Sequence, residues 1–185
     1  GNFVQQLHAL DIRTGAERPG SPVDIQASVP GTGDSHDGQG RITFDLRHHN
    51  QRGGLVISNG VVFIAWGSHC EQRPYHGWLM GYNADTLQQT MAYSVTPNGR
   101  GGGIWQSGQG PAVDANGDIY FLTGSGTFNG QSGGTDRGIS FVKLSPEGML
   151  LDSFTPFNQQ TLDLLDQDFS LGAMLIPNTN LVIGG

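Results

Sequence analysis

Residues 101–126, GGGIWQSGQGPAVDANGDIYFLTGSG, combine a glycine triplet, a tryptophan, an Asp-x-Asn-Gly-Asp sequence and a run of β-favouring residues. The pair Asn116-Gly117, with apolar residues on both sides, is among the strongest short-range signals for a tight β-hairpin. The run after it, Ile119 to Leu122, has no polar alternation, which is typical of a strand buried on both faces. The stretch therefore predicts a hairpin that is either one unit of a repeated sheet or the wall of a binding site.

The hairpin pattern recurs along the chain, in LVISNGVVFIAWG (55–67) and in AMLIPNTNLVIGG (173–185). A second pattern, a strand followed by a polar turn, appears in LHALDIRTG (7–15), LMGYNADTL (79–87) and FVKLSPEGM (141–149). Both patterns return at roughly 60-residue intervals, as in the four-stranded blades of β-propellers. We therefore predict an all-β chain, a β-propeller of four-stranded antiparallel blades with about three blades present. It forms a single partial domain over 1–185, with approximate units 1–54, 55–110 and 111–172 and a further unit starting at 173–185.

Glycine and helix content agree with this fold. Glycine occupies 30 of 185 positions, roughly twice ordinary usage, which favours many turns between short strands. Only NQQTLDLLDQD (158–168) has a helical pattern, with Asn158 as the expected N-cap. We expect Gly124 and Gly126 to let the preceding strand turn outward.

Charge excludes two classes of partner. The net charge is −7 and the only lysine is Lys143, so the sequence has no basic patch for nucleic acid or for anionic membranes. No run of 18 apolar residues is present to span a membrane. The single cysteine, Cys70, excludes an internal disulfide and a cysteine-rich zinc cluster.

Two segments carry a resemblance to a known family. LHALDIRTGAE resembles the strand-and-turn signature of pyrroloquinoline quinone (PQQ)-type propeller repeats. IWQSGQGPAVDANGDIYFLTGSG resembles the tryptophan-containing blade of quinoprotein alcohol dehydrogenases. The resemblance implies a periplasmic or extracellular bacterial protein, and PQQ and calcium as the cofactors to consider.

The resemblance also implies two site residues. In the enzymes of this family a tryptophan forms the floor under the quinone, and Trp105 is the candidate for that role; the alternative is a tryptophan packed between blades. An asparagine after the following strand binds calcium, and Ser125 stands at that position. A hydroxyl is a poorer calcium ligand than an amide oxygen, and the paired cysteines common above the quinone are missing here.

Histidines suggest a different site. His49, His69 and His76 are ligand types for zinc or copper, although their spacing matches no standard pattern. The alternative is that they hydrogen-bond to backbone around a loop. DANGD (114–118) begins like a calcium loop but lies at a hairpin, which favours a turn. We find no paired carboxylates in a context that suggests a cleft.

These observations leave three functions open. The first is a PQQ-like propeller that acts as a binding or scaffolding module for a protein or small-molecule ligand. The second is a PQQ- and calcium-dependent dehydrogenase of alcohols or sugars, and the third is a metal-binding, carbohydrate-active propeller. Three blades cannot close a ring, so we expect open edges at 3–11 and 181–185. Further parts of the same propeller, or other chains, would cover those edges.

Overall fold

The computed structural model describes residues 3–185 and consists mostly of short strands. The strands are β1 (Gln6–Leu7), β2 (Val23–Asp24), β3 (Ser28–Pro30), β4 (Arg41–Thr43), β5 (His49–Asn50), β6 (Val56–Ser58), β7 (Val61–Ser68), β8 (Trp78–Asn83), β9 (Gln89–Ser94), β10 (Ala112–Val113), β11 (Ile119–Leu122), β12 (Phe141–Leu144), β13 (Leu150–Phe154), β14 (Met174–Leu175) and β15 (Val182–Ile183). Within the described residues, the helical segments are α1 (Gln159–Leu164) and two 3-10 turns, Gln106–Gly108 and Gly130–Ser132. The prediction of a β-rich chain is confirmed, and α1 lies within the stretch, 158–168, where a helix is expected.

Two larger sheets dominate the fold. Strands β6, β7, β8 and β9 pair in succession and antiparallel, and β5 joins the far end of β7. Strands β10 to β13 form a second sheet with the same consecutive antiparallel order. The pairs β1–β2, β3–β4 and β14–β15 are two-stranded. The two larger sheets fit the predicted four-stranded unit, while the number of blades stays a prediction because residues 3–185 show no closed ring.

The hairpin turns have the predicted backbone. Gly60 and Gly117 have φ values of +75° and +88°, a backbone region that residues other than glycine rarely adopt. The two turns also meet, because a Cβ atom at Gly117 would lie 2.8 Å from Nδ2 of Asn59. Hairpin tips of neighbouring sheets are therefore in contact.

The second repeated pattern is a shared side-chain-to-backbone turn. Oδ1 of Asp11 accepts hydrogen bonds from the N–H groups of Arg13 (2.9 Å) and Thr14 (3.0 Å). Oδ1 of Asn83 accepts the equivalent pair from Asp85 (3.0 Å) and Thr86 (2.9 Å). Such Asx turns explain why Asp or Asn recurs at this point of the repeat.

Strand β7 contributes side chains to two hydrophobic cores, one on each face of its sheet. Val62, Ile64 and Trp66 pack with Trp78 and the N-terminal strands. Phe63 and Ala65, which point to the opposite face, pack into the space between the two larger sheets with Leu79, Ile119, Phe121 and Val142. This double burial explains the unbroken apolar run VVFIAW, since each fully buried large side chain contributes about 1.5–3 kcal/mol to folding.

Asn158 lies at the expected N-cap position of α1, but its side chain makes no capping hydrogen bond. Gly124 and Gly126 do not have positive φ values, and both are close-packing positions. A Cβ atom at Gly126 would collide with the backbone of 100–102, and one at Gly124 with two side chains of the candidate site.

Candidate functional site

Trp105 lies at the junction of the two larger sheets. The segment leading to it bonds to both sheets, through Ile104 N–H to Trp66 O (3.1 Å) and Gly124 N–H to Gly103 O (2.8 Å). Its indole packs against Gly67 of β7 and against Gly124 just after β11, and a Cβ atom at either glycine would collide with the ring. The glycines therefore make room for the indole between neighbouring sheets.

The indole has little open surface. Trp105 is 5% exposed, the Arg52 guanidinium lies over its ring at 5.5 Å from the centroid, and the Tyr75 ring lies 6.3 Å away. A tricyclic quinone such as PQQ needs one open ring face for stacking. The residues around Trp105, arranged as they are, do not fit that cofactor.

Two polar atoms beside this ring have no hydrogen-bond partner within residues 3–185. They are Nε1 of Trp105 and Oγ of Ser125, both in buried residues. Buried polar groups are nearly always paired, so an unpaired donor and hydroxyl at one place call for a ligand or water there. The backbone N–H of Ser125 is already used, since it donates to Oδ1 of Asp168.

Three carboxylates converge beside Ser125. Glu71 lies in the loop after β7, and Asp166 and Asp168 lie in the segment after α1; one oxygen from each lies within 4.8 Å of the others. A methyl group at Gly124 would collide with both Trp105 Nε1 and Asp168 Oδ1, so these two atoms border the same narrow space. Glu71 and Asp166 have positive φ values of 54° and 55°, a strained backbone for these residue types.

The electrostatics of this carboxylate site (Glu71, Asp166, Asp168) disfavour three negative charges. Burial, followed by the charges of Asp168 and Asp166, raises the pKa of Glu71 to about 7. Burial is also the main cause that raises the pKa of Tyr75, with a further contribution from Glu71. A divalent cation would remove the repulsion and displace the proton from Glu71. Three carboxylate oxygens at this spacing suit Ca²⁺, which takes oxygen ligands at about 2.3–2.6 Å.

The histidines are placed differently. His49 and His76 are buried neighbours, whereas His69 is exposed. The ring of His49 is used on both sides: Nδ1 lies 2.7 Å from Asp45 O, and Nε2 accepts from Trp78 Nε1 (3.1 Å) and from His76 N–H (3.2 Å). Burial lowers the pKa of His49 to about 4.

His76 is engaged in the same way. Its Nδ1 lies 3.0 Å from Thr96 Oγ1 and its Nε2 lies 2.8 Å from Asp34 O. The structure thus brings His49 and His76 together through backbone and side-chain hydrogen bonds. Within residues 3–185, the only gathered ligand set of His, Cys, Asp and Glu is the carboxylate site.

Asp114 supports a turn. Its Oδ1 accepts from the N–H groups of Asn116 (2.9 Å) and Asp118 (3.0 Å), and its Oδ2 accepts from the Tyr120 hydroxyl (2.9 Å). These bonds hold the hairpin and leave Asp114 with little capacity for a metal.

The sequence pattern did not predict the carboxylate site, in which the structure gathers Glu71, Asp166 and Asp168. The helical pattern at 158–168 includes Asp166 and Asp168, but α1 ends at Leu164 and both residues lie beyond it. Glu71 is 95 residues before Asp166 in the chain, so no local pattern connects them. The one available signal was the Asp-x-Asp spacing at 166–168.

Comparison with known proteins gives a fold but no family assignment. No protein-family profile and no curated protein match the chain. Among solved structures, the chain is similar to the quinohemoprotein alcohol dehydrogenase ADHIIG from Pseudomonas putida HK5. The TM-score is 0.56 at 18% sequence identity, over 81% of this chain and 24% of the enzyme. The chain thus spans about a quarter of the length of that enzyme and shares its fold over that part.

Within residues 3–185 we find no helix with the length and apolar character required to cross a bilayer.

Proposed function

We propose that this chain is a binding module of the PQQ-like propeller type that holds a divalent cation of the Ca²⁺ class. Glu71, Asp166 and Asp168 supply the ligands, and the bound cation presents its remaining coordination positions to oxygen atoms of a ligand. The observation that carries the proposal is the convergence of three carboxylates with two unpaired buried groups, Trp105 Nε1 and Ser125 Oγ.

The chain's own residues have distinct parts in this site. The Ser125 N–H fixes the orientation of Asp168. Glu71 is the group that exchanges a proton for the cation, because its pKa lies near 7. Trp105 Nε1 is free to donate, and Ser125 Oγ is free to donate or accept, toward a ligand oxygen or a water bound at this site. Ca²⁺ needs 6–8 oxygen ligands, so water or ligand must complete its shell.

This proposal favours binding over quinone-dependent oxidation. The carboxylates fit a hard cation, whereas the buried ring of Trp105, with Arg52 over it, does not fit a stacked quinone. The similarity to an alcohol dehydrogenase supports the propeller fold of the module.

Terbium luminescence tests the proposal. Tb³⁺ binds calcium sites, and an indole next to the ion sensitises its emission, so excitation of tryptophan should give terbium emission that Ca²⁺ competes away. Asp168→Asn keeps an oxygen that can accept from Ser125 N–H but removes a charge, and it should reduce affinity by about tenfold or more.

Asp85→Asn is the matched control. Asp85 is exposed and its side chain makes no hydrogen bond or ion pair within residues 3–185, so this variant should bind like the wild type. Equal emission from wild type and Asp168→Asn, or no emission from either, would overturn the cation site.

A further inference from the structure

A cleft of about 480 Å³ lies between two segments of the chain. The segment around Phe128 to Ser132 forms one wall, and the segment from Pro156 to Gln160, at the start of α1, forms the other. A volume of this size is typical of small-molecule pockets. None of the residues that line the cleft carries a charge, although charged residues occur nearby in the chain. The lining therefore favours a neutral ligand over a charged one.

Hydrogen bonds hold one wall of the cleft in place. Asn129 is fixed on both sides by Asp136, through Nδ2 to Oδ2 (2.6 Å) and through Asp136 N–H to Oδ1 (2.8 Å). Arg137 donates to Gly134 O (2.7 Å) and to Ser153 Oγ (3.1 Å), which ties the first wall to β13. A preformed cleft loses less entropy when a ligand binds.

The free groups of the cleft are amides and aromatic rings. The side chains of Gln131 and Gln160 are exposed and make no hydrogen bond within residues 3–185. An amide offers both donors and acceptors, as hydroxyl groups require. Phe157 is 99% exposed and Phe128 lines the opposite wall, so an aromatic face is available to a ligand.

From these features we propose that the cleft binds neutral carbohydrate. A pyranose ring has hydroxyl groups at its edge for Gln131 and Gln160, and a face of weakly positive C–H groups that suits the electron-rich face of Phe157. The absence of charge in the lining disfavours phosphorylated and acidic sugars, whose desolvated charge would have no partner.

The cleft is connected to the carboxylate site but does not depend on it. Gln159, 7% exposed, donates from Nε2 to Gly126 O (3.2 Å), next to the residue that holds Asp168. Sugar binding in the cleft uses none of the three carboxylates. It should therefore persist in a chelator, whereas terbium binding should not, and the two proposals can fail separately.

Affinity electrophoresis in gels that contain cellulose-derived glucan, xylan or mannan tests this site, with isothermal titration of the matching hexasaccharides. The wild type should be retarded by at least one neutral polysaccharide. Phe157→Ala should weaken binding by about tenfold without loss of fold, because the exposed ring packs against little. Gln160→Ala should weaken it by less.

Leu164→Ala is the matched control, since Leu164 is a large apolar residue at the end of α1 that is 83% exposed and does not line the cleft. Retained sugar binding in Leu164→Ala and in chelator, with loss in Phe157→Ala, is the expected result. Absence of retardation in all three gels, equal binding by Phe157→Ala and wild type, or loss of binding in chelator would each overturn the proposal.

Discussion

The two faces of the second large sheet, β10 to β13, differ in how completely they are covered. Ile119, Phe121, Val142 and Leu144 face the first large sheet and are 0–2% exposed. On the other face Phe154 is 63% exposed. A cavity of about 100 Å³ separates that face from the hairpin β14–β15, and Phe154, Ala173 and Val182 are among the residues that line it.

A pair of equivalent positions shows the reason. Tyr93, near the end of β9, meets Phe121 of the next sheet edge-on, with centroids 6.2 Å apart. In the second large sheet, Phe154 at the end of β13 occupies the position that Tyr93 has in the first. The hairpin that follows this sheet is β14–β15, and when its strand pairing is aligned with that of β10–β11, Gly184 stands at the position of Phe121. A glycine cannot cover the ring. The strand pattern is therefore enough to predict a sheet, whereas the burial of an aromatic ring on its face depends on the side chain at the matching position of the next hairpin.

The largest expected effect is a contrast between these two faces. Phe121→Ala should destabilise the chain by about 3–5 kcal/mol, because it leaves a cavity in a fully covered core. Phe154→Ala should change stability by about 0.5 kcal/mol or less, as for other exposed substitutions. Urea unfolding followed by tryptophan fluorescence measures both, and similar losses in the two variants would show that the open face is covered in solution.

A second prediction concerns the junction where the covered face ends. Gly124→Ala places a methyl group against Trp105 Nε1 and Asp168 Oδ1, so it should destabilise by about 1–3 kcal/mol and reduce terbium affinity. Gly185→Ala is the control, because a Cβ atom there meets nothing within 4 Å. Normal stability with lost terbium binding would mean that Gly124 matters to the site only.

A smaller effect is expected at the hairpin tips. Gly117 and Gly38 both have positive φ, +88° and +79°, but only Gly117 has neighbours, Asn59 and Pro146. Replacement of either glycine by alanine should destabilise by about 1 kcal/mol through backbone strain, and Gly117→Ala should lose more through the contact between sheets. Equal melting temperatures for the two variants would show that the tips do not support each other.

The fold was more predictable from sequence than the site, for physical reasons. Hairpins at Asn59-Gly60 and Asn116-Gly117, and the Asx turns at Asp11 and Asn83, depend on a few adjacent residues, so local pattern suffices. The carboxylate site joins Glu71 to Asp166 and Asp168 across the junction of two sheets, which only the three-dimensional packing determines. The family pattern pointed to Trp105 and Ser125, which border that site, but could not supply its acidic ligands.

The smallest expected effect is a pH dependence of stability caused by Glu71. This residue lies in a loop of the first large sheet, and its carboxylate lies close to those of Asp166 and Asp168, in the segment after the second. Its pKa is raised to about 7 from 4.5 in water, so the folded state holds the proton more tightly than the unfolded state. The contribution of this bound proton to the stability of the folded state is therefore fully present below pH 4.5 and is lost as pH rises through 7.

Glu71→Gln cannot ionise, so without cation it should be more stable than the wild type at pH 8, by about 1 kcal/mol after allowance for solvent screening. At pH 4.5 the two should be nearly equal. Added Ca²⁺ should stabilise the wild type at pH 8 more than Glu71→Gln, because the variant has only two of the three carboxylates for the cation. Thermal melts of both proteins at the two pH values, with and without Ca²⁺, measure all of these differences. A Glu71→Gln variant that is no more stable than the wild type at pH 8 without Ca²⁺ would contradict a raised pKa at Glu71.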